Sequence, residues 1–172
     1  MKKNIEIKGS SNVKKLLPEQ YNNKKKGTEN WEIPDSYLLL DKQLQLINCL
    51  YLNQDIASKE MLKKAINKKL SSYKQQDIKN KIYGENFFIS FDNTIEKLVE
   101  CKMRCYYCNN KLRLVYEEIK DDNQWTLDRI NNDMGHNDNN VLISCLKCNL
   151  KRRNINHEKF KFTKNLNIVK NK

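Results

Sequence analysis

Apolar residues recur at helical spacing through the first hundred positions and then give way to short alternating runs. After Pro34, with Asp35 as candidate cap, Tyr37, Leu40, Leu44, Ile47 and Tyr51 fall on one helical face. A second helix is predicted from near Asp55 or Ser58, on a stripe of Leu62, Ala65, Ile66, Leu70 and Tyr73. It is expected to run on to about Tyr83, where Gly84 can close it. Lys63, Lys64, Lys68 and Lys69 lie outside that stripe and are expected to face solvent. An apolar stretch from Phe87 to Phe91 and a capped helix from about Thr94 to Lys102 follow. Nothing before residue 95 carries recognisable chemistry, so these helices are expected to be a packing annex.

Beyond residue 120 the period shortens. Trp125 and Leu127 alternate with Thr126 and Asp128, as in a half-buried strand. Gly135 marks a loop, Val141 to Ile143 a second short strand, and a basic helix is expected from Cys148 onward. The tail from 157 to 172 carries Phe160 and Phe162, expected to pack back on the helical region. The expected fold is therefore α+β, mostly α: a helical region over 31–100, a small ββα module over 101–156, and the tail. Residues 1–30 hold eight lysines against three glutamates with no periodicity, which predicts a basic mobile arm.

Charge then narrows the partners. With 33 Lys+Arg against 21 Asp+Glu, the net +12 favours a polyanion, whether DNA or RNA. Arg is confined to Arg104, Arg113, Arg129, Arg152 and Arg153, and a guanidinium fork matches phosphate bidentately where Lys is a point charge. No apolar run approaches the roughly 20 residues needed to cross a bilayer, and Met1-Lys2-Lys3-Asn4 leads into no secretory core. No membrane partner is expected, and the expected setting is intracellular, nucleus or cytoplasm, including that of a virus-infected host cell.

Cysteine spacing gives the first specific chemistry. Cys105-Tyr-Tyr-Cys108 and Cys145-Leu-Lys-Cys148 are two C-x2-C knuckles, 36 residues apart. Two such pairs suit a closed tetrahedral zinc site, since each turns two sulfurs toward one point. The intervening segment is too small and polar to fold unaided, so zinc is expected to supply much of its folding free energy. Cys49 and Cys101 are left over. Cys101, four residues before Cys105, is read as a free thiol, with a substitute ligand as the other reading.

Between the knuckles stand Trp125-Thr-Leu-Asp-Arg-Ile130, then Gly135-His136, Asn140 before the second apolar run, and Cys145-Leu-Lys-Cys148-Asn149. Over about 101–156 this pattern resembles the zinc-stapled members of the HNH (ββα-metal) endonuclease family. The Trp-Thr-Leu-Asp-Arg-Ile variant is similar to forms found in large DNA viruses and mobile, phage-like elements. The resemblance implies metal-dependent hydrolysis of DNA, double-stranded, leaving 5′-phosphate and 3′-hydroxyl ends. It implies Asp128 and Asn149 as ligands of a catalytic Mg²⁺ or Mn²⁺ beside the structural Zn²⁺, with Asn140 pinning the loop backbone.

One departure matters. The family carries His where this chain has Arg129, and a guanidinium cannot accept a proton. Arg129 can still clamp the scissile phosphate, which leaves His136 as candidate base, with Tyr106, Tyr107 or metal-bound water in reserve. His157 is expected outside the site. Lys147, Lys151, Arg152 and Arg153 would present positive charge to the duplex backbone. The rival is a catalytically inactive zinc-stapled DNA-binding module, with Arg129 marking the loss. One site per chain nicks; a double-strand cut would need a homodimer or two binding events.

Overall fold

The computed structural model describes residues 34–166. The basic arm over 1–30 and the end of the tail lie outside the described residues. A 3-10 turn, Asp35–Leu38, leads into α1 (Leu40–Tyr51). Asp35 makes no side-chain cap here. The buried face of α1 is Gln43, Leu46, Ile47 and Leu50, rotated from the expected stripe, and Tyr51 is exposed. Gln43 causes the rotation. Its amide donates to the carbonyls of Tyr37 and Val115, and its oxygen accepts from the Leu114 and Val115 amides at 2.8 and 3.0 Å.

The second helix, α2 (Lys59–Lys79), buries Leu62, Ile66, Leu70 and Asp77. It stops short of Tyr83 because Lys81 adopts a left-handed conformation (φ 59°). The Ile82 amide then bonds back to the Asp77 carbonyl and the Lys81 amide to that of Ile78, a Schellman closure with Lys in the usual glycine place. Gly84 is therefore not the stop. In α3 (Phe91–Glu100) the cap is Ser90, whose hydroxyl accepts from the Asn93 amide, so the helix starts three residues before Thr94.

The segment 101–124 holds no helix or strand, and isolated bridges there pair Arg104 with Lys111 and Arg113 with Gln124. Two antiparallel strands follow, β1 (Trp125–Arg129) and β2 (Val141–Cys145), in a register that pairs Trp125 with Cys145 and Arg129 with Val141. Helix α4 (Leu146–Arg152) leaves β2 directly, two residues before the expected start, and α5 (His157–Asn165) ends the described chain.

β1 is buried along both faces rather than half-buried. Helix α2 covers it: Lys69 donates to the Trp125 carbonyl, and the Leu127 amide donates to the Tyr73 hydroxyl at 3.1 Å. Lys69 thus leaves the solvent face expected for it. Its ammonium lies 4.7 Å from the Trp125 ring centroid and 5.0 Å from that of Tyr116, and burial pushes its pKa down to about 7. One apolar cluster joins the helices to the module, from Leu46, Leu62 and Ile66 through Leu98 and Leu114 to Trp125 and Ile143. From the tail, Phe160 is buried edge-on against Tyr107, with centroids 5.0 Å apart, rather than on the helical region; Phe162 stays exposed. Among the described residues no helix is long and apolar enough to cross a membrane.

Candidate metal centre and adjoining groove

The two knuckles are brought together by the hairpin. The Tyr106 amide bonds to the Ile143 carbonyl, which seats the first knuckle on β2, and the second knuckle is the β2–α4 junction itself. The sulfurs of Cys105, Cys108, Cys145 and Cys148 lie within 4.8 Å of one another, and Cys108 and Cys145 are 3.9 Å apart. A tetrahedral ion with Zn–S bonds of about 2.3 Å requires sulfurs about 3.8 Å apart, so this spacing fits zinc and not a disulfide. A hydrogen bond from Cys145 pulls Cys105 down to about 5, while burial and the Cys105 charge raise Cys148 to about 12. All four would become thiolates together only around a bound cation. Cys101 stays outside the cluster, half-buried, its thiol donating to the Leu98 carbonyl at 3.3 Å.

Beside this centre lies an open groove of about 370 Å³ between α2, β1 and α4. It brings together Asp128, Arg129, His136, Asn149, Arg152 and Arg153 from the sequence-predicted set. Asn140 sits behind it, 4% exposed. Its oxygen accepts from the Asn131 amide, and its amide donates to the carbonyls of Asn131 and Gly135, each at 2.9 Å. Those bonds close the loop between the strands.

Asp128 is 3% exposed and already committed. Arg152 reaches its two oxygens through Nε and Nη2, both at 2.8 Å, and the Tyr107 hydroxyl donates to Oδ2 at 2.6 Å. Arg152 also donates to the carbonyls of Arg129 and Ile155. This corrects the expectation for Arg152. The last turn of α4 faces β1, so the side chain is 2% exposed and braces the module instead of meeting phosphate. It also corrects Tyr107 as a reserve base. Burial first, and Asp128 second, hold its pKa well above the usual phenol range, so it remains a donor.

The donor set around Asp128 does not fit Mg²⁺ or Mn²⁺ in this arrangement. A cation there would face a guanidinium already neutralising the carboxylate. Asn149 adds one neutral oxygen; its amide nitrogen is spent on Thr126 and the Leu127 carbonyl, at 3.2 and 3.4 Å.

The remaining positions divide. Arg129 is half-buried, its Nη1 3.4 Å from the Met134 carbonyl and 3.8 Å from Asp77. Arg153 stands exposed at the groove rim at φ 51°, the left-handed turn that ends α4. Lys147 pairs with Asp122 at 3.0 Å and, like exposed Lys151, is absent from the groove lining. His157 borders a separate cavity of about 560 Å³ beyond Arg152.

His136 is 3% exposed and held by Asp77, a residue that sequence reasoning passed over. Its ring Nδ1 lies 2.7 Å from Asp77 Oδ1, and its backbone amide donates to Oδ2 at 2.6 Å. Nε2 has no partner among the described residues. Burial lowers the imidazole's pKa below the ordinary value, opposed by the Asp77 carboxylate, which favours the neutral ring. The signal was available: Leu62, Ile66, Leu70, Tyr73 and Asp77 continue one helical stripe, and an acidic residue on a buried stripe needs a partner. No family model matches the chain, and neither does any curated protein or solved structure.

Proposed function

We propose that the chain hydrolyses phosphodiester bonds in DNA, with the groove between α2, β1 and α4 as the site. The observation that carries this reading is the convergence of the unbonded imidazole nitrogen of His136 with the guanidinium groups of Arg129 and Arg153 in one open groove. His136 Nε2 would accept a proton from the attacking water. Arg129 and Arg153 would hold the phosphate and offset the charge that grows on it as the 3′ oxygen leaves. The resemblance of residues 101–156 to zinc-stapled HNH nucleases and the net charge of +12 support the same substrate class. No step is assigned to a divalent ion, because Asp128 is closed by Arg152.

A second reading has its own observation. The closed Asp128–Arg152 pair, with Arg129 in the usual place of the base, suits a DNA-binding module without turnover. Nicking of supercoiled plasmid by zinc-loaded protein, with Mg²⁺, with Mn²⁺ and with neither, separates them. The nuclease reading expects open circles that disappear with His136→Ala. Tight, salt-sensitive binding with no nicking under any of the three conditions would establish the binding module instead.

A further inference from the structure

We infer that Asp77 on α2 is the positioning residue for His136, fixing the ring with its Nδ1 hydrogen toward α2 and its Nε2 lone pair toward the groove. This rests on the nuclease reading for its purpose, but its geometry stands apart from it. Asp77 grips the histidine twice, at the backbone amide and at the ring, so neither the loop nor the side-chain torsion is free. A carboxylate has no proton to give, so the hydrogen between them sits on Nδ1 and the acceptor position falls to Nε2.

The surroundings enforce the pairing. Asp77 is fully buried, with Arg129 at 3.8 Å as the nearest opposite charge. Tyr73, one helical turn earlier, covers the imidazole with ring centroids 4.6 Å apart. Gly135 lets the loop approach: a β-carbon there would lie 2.6 Å from the Ile82 carbonyl oxygen and 2.9 Å from Asp77 Oδ2. The charged and titratable groups facing the imidazole are Asp77 and Tyr73 from α2, and Asp128 and Arg129 from β1. Orientation of a histidine by a buried carboxylate through the other ring nitrogen is how a base is held in one tautomer at catalytic and metal sites alike. The helical region is then part of the working site.

The test uses the zinc-loaded full chain labelled with ¹⁵N-histidine. It has two histidines, so His157→Gln assigns the spectrum. Expected at neutral pH is a His136 with protonated Nδ1 and unprotonated Nε2. Asp77→Asn, whose amide can donate to the ring, should scramble or reverse that tautomer and shift the acid limb of the nicking pH profile. The same change should slow nicking about a hundredfold or more while plasmid binding stays within about threefold.

A wild-type ring protonated on Nε2 overturns the inference without any variant. So does an Asp77→Asn protein that keeps both the tautomer and the nicking rate. Should Asp77→Asn fail to fold, the wild-type spectrum still decides. A wild type with the expected tautomer that nicks nothing would sink the nuclease reading and leave the Asp77–His136 geometry standing.

Discussion

The knuckle-and-hairpin region and the helical region are built on opposite terms. The module from Cys105 to Arg153 announces its chemistry in short spacings, and it adds four clustered sulfurs and a web of polar bonds to the apolar core it shares with the helices. The helices carry ordinary apolar stripes, and yet Gln43, Lys69, Tyr73 and Asp77 each reach across to bond the module's backbone or its groove. Chemistry that is visible as a motif lies in one region, and the groups that hold it in place lie in the other. A motif match alone therefore describes half of this site.

Removing the metal would break the comparison most severely. Stripping zinc should cost on the order of 10 kcal/mol of folding free energy. Because one core spans both regions, the helical circular dichroism should fall along with the module. Helices that survive verified zinc loss intact would show two independently folding parts. Next comes Asp128→Ala, which strands the buried Arg152 and should destabilise by about 4 kcal/mol in denaturant melts. Changing both partners, Asp128→Leu with Arg152→Met, should recover much of that loss. A single variant as stable as the wild type would mean that the pair does not brace α4 against β1.

Gln43→Ala probes the helical side. It leaves the Leu114 and Val115 amides without acceptors and should cost about 3 kcal/mol; an effect below about 0.5 kcal/mol, as for a surface change, would mean that the crossing bonds add nothing.

The smallest effect is the pH dependence from Lys69. Its folded pKa of about 7 lies below the unfolded value, so between roughly pH 7 and 10.4 the unfolded chain holds more protons. The penalty for burying the charge is greatest below pH 7 and is relieved as pH rises. Melts at pH 7 and 9 should show that rise in the wild type and a flatter response in Lys69→Met. Equal slopes would mean the ammonium reaches water.

The sequence makes some of this readable and hides the rest for a physical reason. The cysteine pairs, the strand from Trp125 and the loop at Gly135 stand out because metal ligands and turns tolerate few residue types. Apolar members alone misplace the α1 face, because Gln43 is buried through hydrogen bonds, which hydropathy counts against it. The same count puts Lys69 in solvent and passes over Asp77. The stops of α2 and α3 were hidden too, since Lys81 and Lys102 take left-handed positions that usually call for glycine. That Arg152 turns inward to Asp128 depends on the angle between α4 and β1, which spacing does not encode.

Lys69, Tyr73 and Asp77 follow at intervals of four along α2, one above another on a single face. An insertion of one residue between Tyr73 and Asp77 would swing the carboxylate about 100° around the helix axis, away from the loop it holds. In the exchange of segments between genes, the smallest piece of this chain that travels with its groove intact begins on α2, ahead of Lys69, rather than at the first cysteine.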